Sequence, residues 1–391
     1  MQAIYPSVSL EEIEQIAAKA SQVVQQIRAA MLAPTTKKIP PSFNTAQLAQ
    51  LVGVDKAKIP YRMKKGDLPE GTLSESGSRR QWSLAEARSW IREYRAPNLR
   101  PPQAAAVTIS VANFKGGVTK TTTAATLAQG LTLRGHRVLV IDTDPQGSLT
   151  TLFGVLPDTE VEQEDTILPL CAGDESDVRY AIRSTYWDGI DLIAAAPLLF
   201  SAEFLLPARQ KSSQEFEFWR VLDLGLDPVR DEYDVIIIDT PPSLSYTTIN
   251  ALMASDGIVM PLPPNALDFA SSAQFWTLFT DLCSQLMRIR GKTKEFAFVD
   301  VLLARVDRSD AVSAAVRQWI ISAYGSKVLP IEIPKTSIAA TASAEFGTVY
   351  DLEAGSAQAK TLKRALDAYD DFVAMIDDQI RSIWVSQVES V

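Results

Sequence analysis

The hydrophobic pattern of the chain changes character twice. Leu10, Ile13, Ala17, Ala20, Val24, Ile27 and Met31 are spaced alternately by three and four, an apolar helix seam kept for three heptads. Ser9 and Glu12 ahead of it have the capping-box form, and Pro34 lies just beyond it. The spacing predicts a helix within residues 1–34 that packs on a partner chain; the alternative is a helix lying on its own domain. From 35 to 100 the apolar stretches are shorter. Thr45 to Gly53 has helical spacing with glycine for a turn, and Asp55 to Lys65 follows as a second helix whose start Pro60 pushes later than Asp55. Leu73 to Trp82 reads as a hairpin with a glycine-bearing tip, and Ser83 and Glu86 cap a further helix through Tyr94.

Beyond the Pro97–Pro102 linker, apolar runs alternate with helical stretches. The runs are Val107–Phe114, Arg137–Thr143, Ile190–Ala196, Asp234–Asp239, Ile258–Leu262, Phe296–Leu303 and Val328–Ile333. Continuous apolar strands separated by helices predict a doubly wound, mainly parallel α/β sheet over 101–391. Functional groups are then expected at the carboxyl ends of the strands.

Candidate chemistry lies there. The first run feeds Lys115, Gly116, Gly117, Val118, Thr119, Lys120, Thr121 and Thr122. A strand, a glycine loop and a Lys-Thr opening a helix cradle phosphates with backbone N–H groups. Lys120 is placed to reach the β- and γ-phosphates and Thr121 to ligate Mg²⁺. The usual spacing asks for glycine at 114 and 119, where Phe114 and Thr119 stand, so on the loop alone an ordinary glycine turn remains open. Two further strands end in acids, Asp142-Thr143-Asp144 and Asp239-Thr240. One such acid can be a helix cap; two beside a phosphate loop point to a nucleotide site.

Composition changes the picture at the front end. Of 391 residues 46% are hydrophobic and 22% charged, a globular composition long enough for two or three domains. Residues 1–100 carry a net +6 against −15 for the rest, within a total of −9. A basic front end is a nucleic-acid signal. Lys56, Lys58, Arg62 and Lys64 fall on the second short helix, Arg79 and Arg80 on the return limb of the hairpin. Two helices, a hairpin and a helix in this order resemble a winged helix-turn-helix of the MerR type, expected over 35–100. Cys171 and Cys283 lie too far apart in sequence to suggest a disulfide framework or a metal motif. His136, beside Arg137 at a strand start, is expected at the surface. Neither a signal peptide nor a bilayer-spanning run is evident, which fits a cytoplasmic setting.

KGGVTKTTT, VLVIDTDPQGSLT and DVIIIDTPP, in this order, resemble the deviant Walker ATPases of the ParA/MinD class. LDFASSAQF, LLARVD and IEIPKTSIAATASAEFGTVYDLE narrow the resemblance to ParA-type partition ATPases. The winged front end is similar to the large plasmid form, so the resemblance covers essentially the whole chain. It implies ATP or ADP with Mg²⁺ in the loop, and Lys115 as the lysine that crosses a nucleotide-sandwich homodimer. It implies Lys120 as the in-cis phosphate lysine, Thr121 as magnesium ligand, Asp144 as the acid that positions the attacking water and Asp239 as the Walker B acid, acting on Mg²⁺ usually through water. Lys335 matches a position of sequence-independent DNA contact. The resemblance further implies slow hydrolysis stimulated by a ParB-type partner, operator binding with autorepression, and association with the nucleoid. Thr119 departs from the class glycine, which bears on the hydrolysis rate. The alternative is a transcriptional repressor that uses nucleotide mainly as an allosteric ligand. A MinD-like membrane regulator finds too few cations in the C-terminal tail, and an Fe–S reductase finds no cysteine motif.

Overall fold

The capping box at Ser9 closes as its sequence predicts. The Ser9 N–H donates to a Glu12 carboxylate oxygen at 2.8 Å and the Glu12 N–H to the Ser9 hydroxyl at 3.2 Å, starting helix α1, Leu10–Met31. The structure, a computed structural model, describes residues 8–31, 38–73, 79–213, 215–290, 293–336, 347–352 and 359–389. Helix α1 belongs to the first of two compact units, Met1–Ile39 and Pro40–Val391. Its seam residues Leu10 and Ile13 are exposed; the side chains of Val24, Ile27 and Met31 lie outside the described residues.

The second unit begins with strand β1, Phe43–Asn44, and helix α2, Thr45–Val52. The Asn44 side chain caps α2 on the N–H groups of Ala46 and Gln47, and Gly53 ends it in the left-handed conformation. Helix α3, Lys58–Met63, follows, and Pro60 falls in its first turn, where no N–H is needed. Strands β2, Thr72–Leu73, and β3, Arg80–Trp82, join β1 in an antiparallel sheet of order β1-β3-β2; the hairpin tip expected at 74–78 lies outside the described residues. Helix α4, Leu84–Arg95, starts from the Ser83 capping box. Leu48, Ile59, Trp82 and Trp90 are fully buried here, and both indole N–H groups donate to the Pro69 carbonyl, at 3.1 and 2.8 Å.

Among the described residues the main sheet has eight strands. They are β4 (Val107–Val111), β5 (Val138–Asp142), β6 (Arg183–Ser184), β7 (Ile190–Ile193), β8 (Val235–Asp239), β9 (Gly257–Leu262), β10 (Phe298–Val306) and β11 (Val328–Pro334). Their order is β11-β10-β9-β4-β8-β5-β7-β6, parallel throughout except the edge strand β6, which runs antiparallel to β7. The seven predicted runs are all strands, and β6 is an addition too short to leave an apolar run. Alternate residues of the central strands enter different cores. Val107, Ile109, Val140 and Ile237 join one layer with Leu127 and Phe372; Leu139, Ile141, Ile236 and Ile238 join the other with Leu222 and Ile249. This two-sided burial is why these strands read as unbroken apolar runs.

Helices cover both faces: α5 (Lys120–Thr132), α6 (Ser148–Leu152), α7 (Leu168–Ala172), α8 (Ala202–Ser212), α9 (Val221–Leu226), α10 (Tyr246–Ala254), α11 (Ala266–Arg290), α12 (Ala311–Tyr324) and α13 (Ala359–Glu389). None among the described residues is long and apolar enough to cross a membrane.

One expectation is overturned. His136 is not at the surface; it is fully buried, with its Nε2 2.6 Å from a carboxylate oxygen of Asp377 on α13. Arg95, at 2.9 Å, and Arg134, at 3.5 Å, reach the other oxygen of the same buried carboxylate. A histidine at the turn after α5 is drawn inward because the long C-terminal helix supplies an anion there.

Candidate active site

Strand register assembles the site. Val111 at the end of β4 lies opposite Asp239 at the end of β8, and Asp239 lies opposite Asp142 at the end of β5. Three neighbouring strands therefore deliver the loop and both acids to one edge of the sheet. The paired threonines fix this edge: the Thr143 hydroxyl donates to the Asp239 carbonyl at 2.7 Å, and the Thr240 hydroxyl to the Val111 carbonyl at 2.9 Å.

The loop leaves β4 through Asn113, whose amide donates to the Pro261 carbonyl at 2.9 Å while its oxygen accepts the Lys115 N–H at 3.2 Å. Gly116 and Gly117 are exposed and Val118 is buried. Gly117 is left-handed, with φ +75°, a conformation that favours glycine. Thr119 is also left-handed, at φ 72°, and precedes the first residue of α5. A β-branched residue there costs on the order of 1 kcal/mol or more, so the position where glycine is usual keeps the glycine conformation without the glycine. Thr121 and Thr122 are half-buried on the first turn of α5.

Lys120 is buried and its ammonium donates to the Lys115 carbonyl at 2.9 Å. Burial lowers its pKa, and the carboxylates of Asp239 and Asp144 work against that. Asp239 is fully buried, and neither carboxylate oxygen has a hydrogen-bond partner among the described residues. Burial, then the neighbouring Asp142 carboxylate, push its pKa well above the usual range, while the nearby Thr121 hydroxyl and Lys120 ammonium pull it down. An orphaned acid beside a lysine and a threonine hydroxyl suits a cation, directly or through its water.

Asp142, not singled out by the sequence argument as a site residue, organises the opposite wall. It accepts the Thr150 N–H at 2.9 Å and the Thr150 hydroxyl at 2.8 Å on one oxygen, and the Asp144 N–H at 3.1 Å on the other. Burial raises it to about 7 against these bonds. Asp144 is half-buried and accepts the Gln146 N–H at 3.0 Å. Lys115 turns aside: its ammonium lies 2.5 Å from a carboxylate oxygen of Asp268 in the first turn of α11.

The basic positions divide. Lys56, Lys58, Lys64 and Arg79 are exposed. Arg62 is held by Asp67 at 2.7 Å and Glu93 at 2.9 Å. Arg80 donates to the carbonyls of Glu70 at 2.7 Å and Gly71 at 3.3 Å. Lys335 is exposed, with its ammonium 3.6 Å from Asp307, and shares a cleft of about 220 Å³ with Asp268 and Arg305. Asn113, Asp268 and Arg305 were not legible as site residues, because their partners are loop atoms and remote side chains.

A family described as AAA domain matches residues 106–289. Protein SopA of Escherichia coli (strain K12) is 32% identical over 329 residues, 81% of this chain and 82% of that protein. Chromosome partitioning protein ParA of Caulobacter vibrioides (strain NA1000 / CB15N) is 31% identical over 259 residues, 64% of this chain and 90% of that protein. Of solved structures, cobyrinic acid a,c-diamide synthase from Mycobacterium smegmatis with bound ADP and magnesium is similar at a TM-score of 0.54 and 27% identity, over 69% of this chain and 94% of that one. Two relatives above 30% identity, each matched over most of its own length, show the family: the chain belongs to the ParA-type partition ATPase family.

Proposed function

We propose that the chain binds ATP with Mg²⁺ at the Lys115–Thr122 loop, dimerises on it, binds DNA in that state and hydrolyses ATP to let go. The observation that carries this reading is Asp239, a buried carboxylate without a hydrogen-bond partner among the described residues, standing by Lys120 and Thr121. Thr121 and Asp239 would hold the magnesium ion, which when bound supplies charge neutralisation at the phosphates.

The chain's own residues do the rest. Gly116 to Thr122 bind the phosphates through backbone N–H groups and the start of α5. Lys120, kept desolvated by burial, meets phosphate charge at short range. Asp144, carried on the loop after β5 and steadied by Asp142, orients water for in-line attack. Lys115 completes the site of a second subunit.

The DNA-facing part of the proposal assigns 1–34 to dimerisation, 35–100 to a winged helix-turn-helix and 101–391 to the ATPase. Exposed Lys56, Lys58 and Lys64 on and around α3 support it, with Arg62, Arg79 and Arg80 nearby in sequence and Lys335 for sequence-independent contact. A ParB-type partner that stimulates hydrolysis, repression of its own operon and residence on the nucleoid complete the reading.

Phosphate release from Mg-ATP by wild type and Asp144→Ala, with and without DNA and the partner, tests it. Wild type is expected to turn over slowly and to accelerate with both additions, and Asp144→Ala to bind ATP without turnover. Wild-type hydrolysis by the variant would sink the assigned mechanism.

A further inference from the structure

Two non-glycine residues among those described have left-handed backbones, Thr119 and Arg305, and both converge on the phosphate loop. Thr119 is part of it. Arg305 comes from β10, far away in sequence, and its guanidinium donates to the Gly117 carbonyl at 3.1 Å. The backbone there is built to deliver it. Leu303 pairs with Glu332 and Val306 with Pro334, so β10 spends one residue more than β11 over that interval. Such a bulge re-aims side chains near functional sites, and a left-handed non-glycine residue persists only where its surroundings hold it.

We propose that Arg305 is a positioning residue of the phosphate loop. In a trans peptide the carbonyl and the following N–H point in opposite directions. Drawing the Gly117 carbonyl outward onto Arg305 therefore turns the Val118 N–H the other way, away from the arginine. Gly117, left-handed at φ +75°, is the residue that allows this peptide orientation. In the loop's cradle a correctly turned N–H is a phosphate donor, so Arg305 sets nucleotide affinity without itself touching the nucleotide. The inference rests on the reading of this loop as an ATP site.

The test is titration of the full chain with a non-hydrolysable ATP analogue and Mg²⁺, for wild type, Arg305→Ala, Arg305→Gly and Arg305→Lys, with thermal melting of each without nucleotide. Loss of one charge-assisted hydrogen bond is expected to weaken binding about 10-fold in Arg305→Ala. Arg305→Gly should lose the same factor although it relieves the left-handed backbone. Arg305→Lys should recover most of the loss, and the melting temperature of Arg305→Gly should equal or exceed that of wild type. Wild-type affinity in both the Ala and Gly variants, or in Gly alone, would overturn the positioning role and leave the ATP site standing. A wild-type chain that binds no nucleotide would overturn the ATP-site reading, and this inference with it.

Discussion

The Lys115 ammonium rests on Asp268, 2.5 Å from one of its carboxylate oxygens. The residue assigned to reach a second subunit is thus held within its own chain, against an acid whose position in the first turn of α11 is favoured by the helix dipole. In the proposed dimer this pair is exchanged for phosphate contacts.

Asp268→Asn should therefore make ATP-dependent dimers easier to form. Lys115 is partly exposed, so the pair is worth about 1 kcal/mol or less. Two such pairs are given up per dimer, so the midpoint of dimer formation should fall several-fold, by at most about 30-fold in protein concentration, read by sedimentation with Mg-ATP. A midpoint that rises would mean that Asp268 presents Lys115 rather than storing it.

Asp239 carries a second prediction. A buried carboxylate with no hydrogen-bond partner among the described residues, eased only by the nearby Lys120 and Thr121, opposes folding until a cation arrives. Asp239→Asn should raise the melting temperature of the nucleotide-free chain, an effect of about 1–3 kcal/mol, and abolish the dependence of nucleotide affinity on Mg²⁺. Calorimetric melting and titration with and without chelator measure the two effects. A lower melting temperature would show that Asp239 is already satisfied in the free chain.

The Asp377 cluster makes a prediction about pH. Burial raises the Asp377 pKa, but His136 and the arginines around it win, and the net shift is downward. A depressed carboxyl adds stability above its unfolded pKa, about 3.9, and loses it as pH falls through the lower folded value. Asp377→Asn should destabilise the chain by about 3 kcal/mol at pH 7, the scale for breaking a buried pair. The difference from wild type should shrink as pH falls below about 4. Denaturant unfolding at several pH values checks this; a gap independent of pH would show that packing, not charge, holds α13.

The basic positions should separate by role. Replacing Lys56, Lys58 and Lys64 together with alanine should weaken binding to any DNA sequence and reduce the salt slope by about one per lost phosphate contact. Arg62→Ala breaks the links to Asp67 and Glu93 and should lower stability as well as DNA affinity. Equal salt slopes for wild type and the triple variant would remove these lysines from the interface.

What was legible in the sequence was whatever local pattern controls. Strands buried on two faces announce themselves as apolar runs, and acids at their ends follow from the runs themselves. Asp144 and Asp239 could thus be placed near the loop before any coordinates, whereas the part Asp142 plays beside them could not. What stayed hidden depends on partners remote in the chain. His136 reads as a surface residue until α13 brings Asp377 to it. Asp268 has no local signal that Lys115 will fold onto it. Arg305 lies two residues beyond the Phe296–Leu303 run, where the strand continues through a bulge that the apolar pattern does not announce. Thr119 read as a departure from the loop pattern, yet its backbone adopts the conformation that glycine would have taken.

The central claim is that ATP at this loop joins two subunits through Lys115. Sedimentation of Asp144→Ala with Mg-ATP, alone and combined with Lys115→Ala, tests it most directly. The account predicts a dimer for Asp144→Ala and a monomer for the double variant, with ATP still bound to both. A dimer in both, or a monomer in both despite bound ATP, would contradict it.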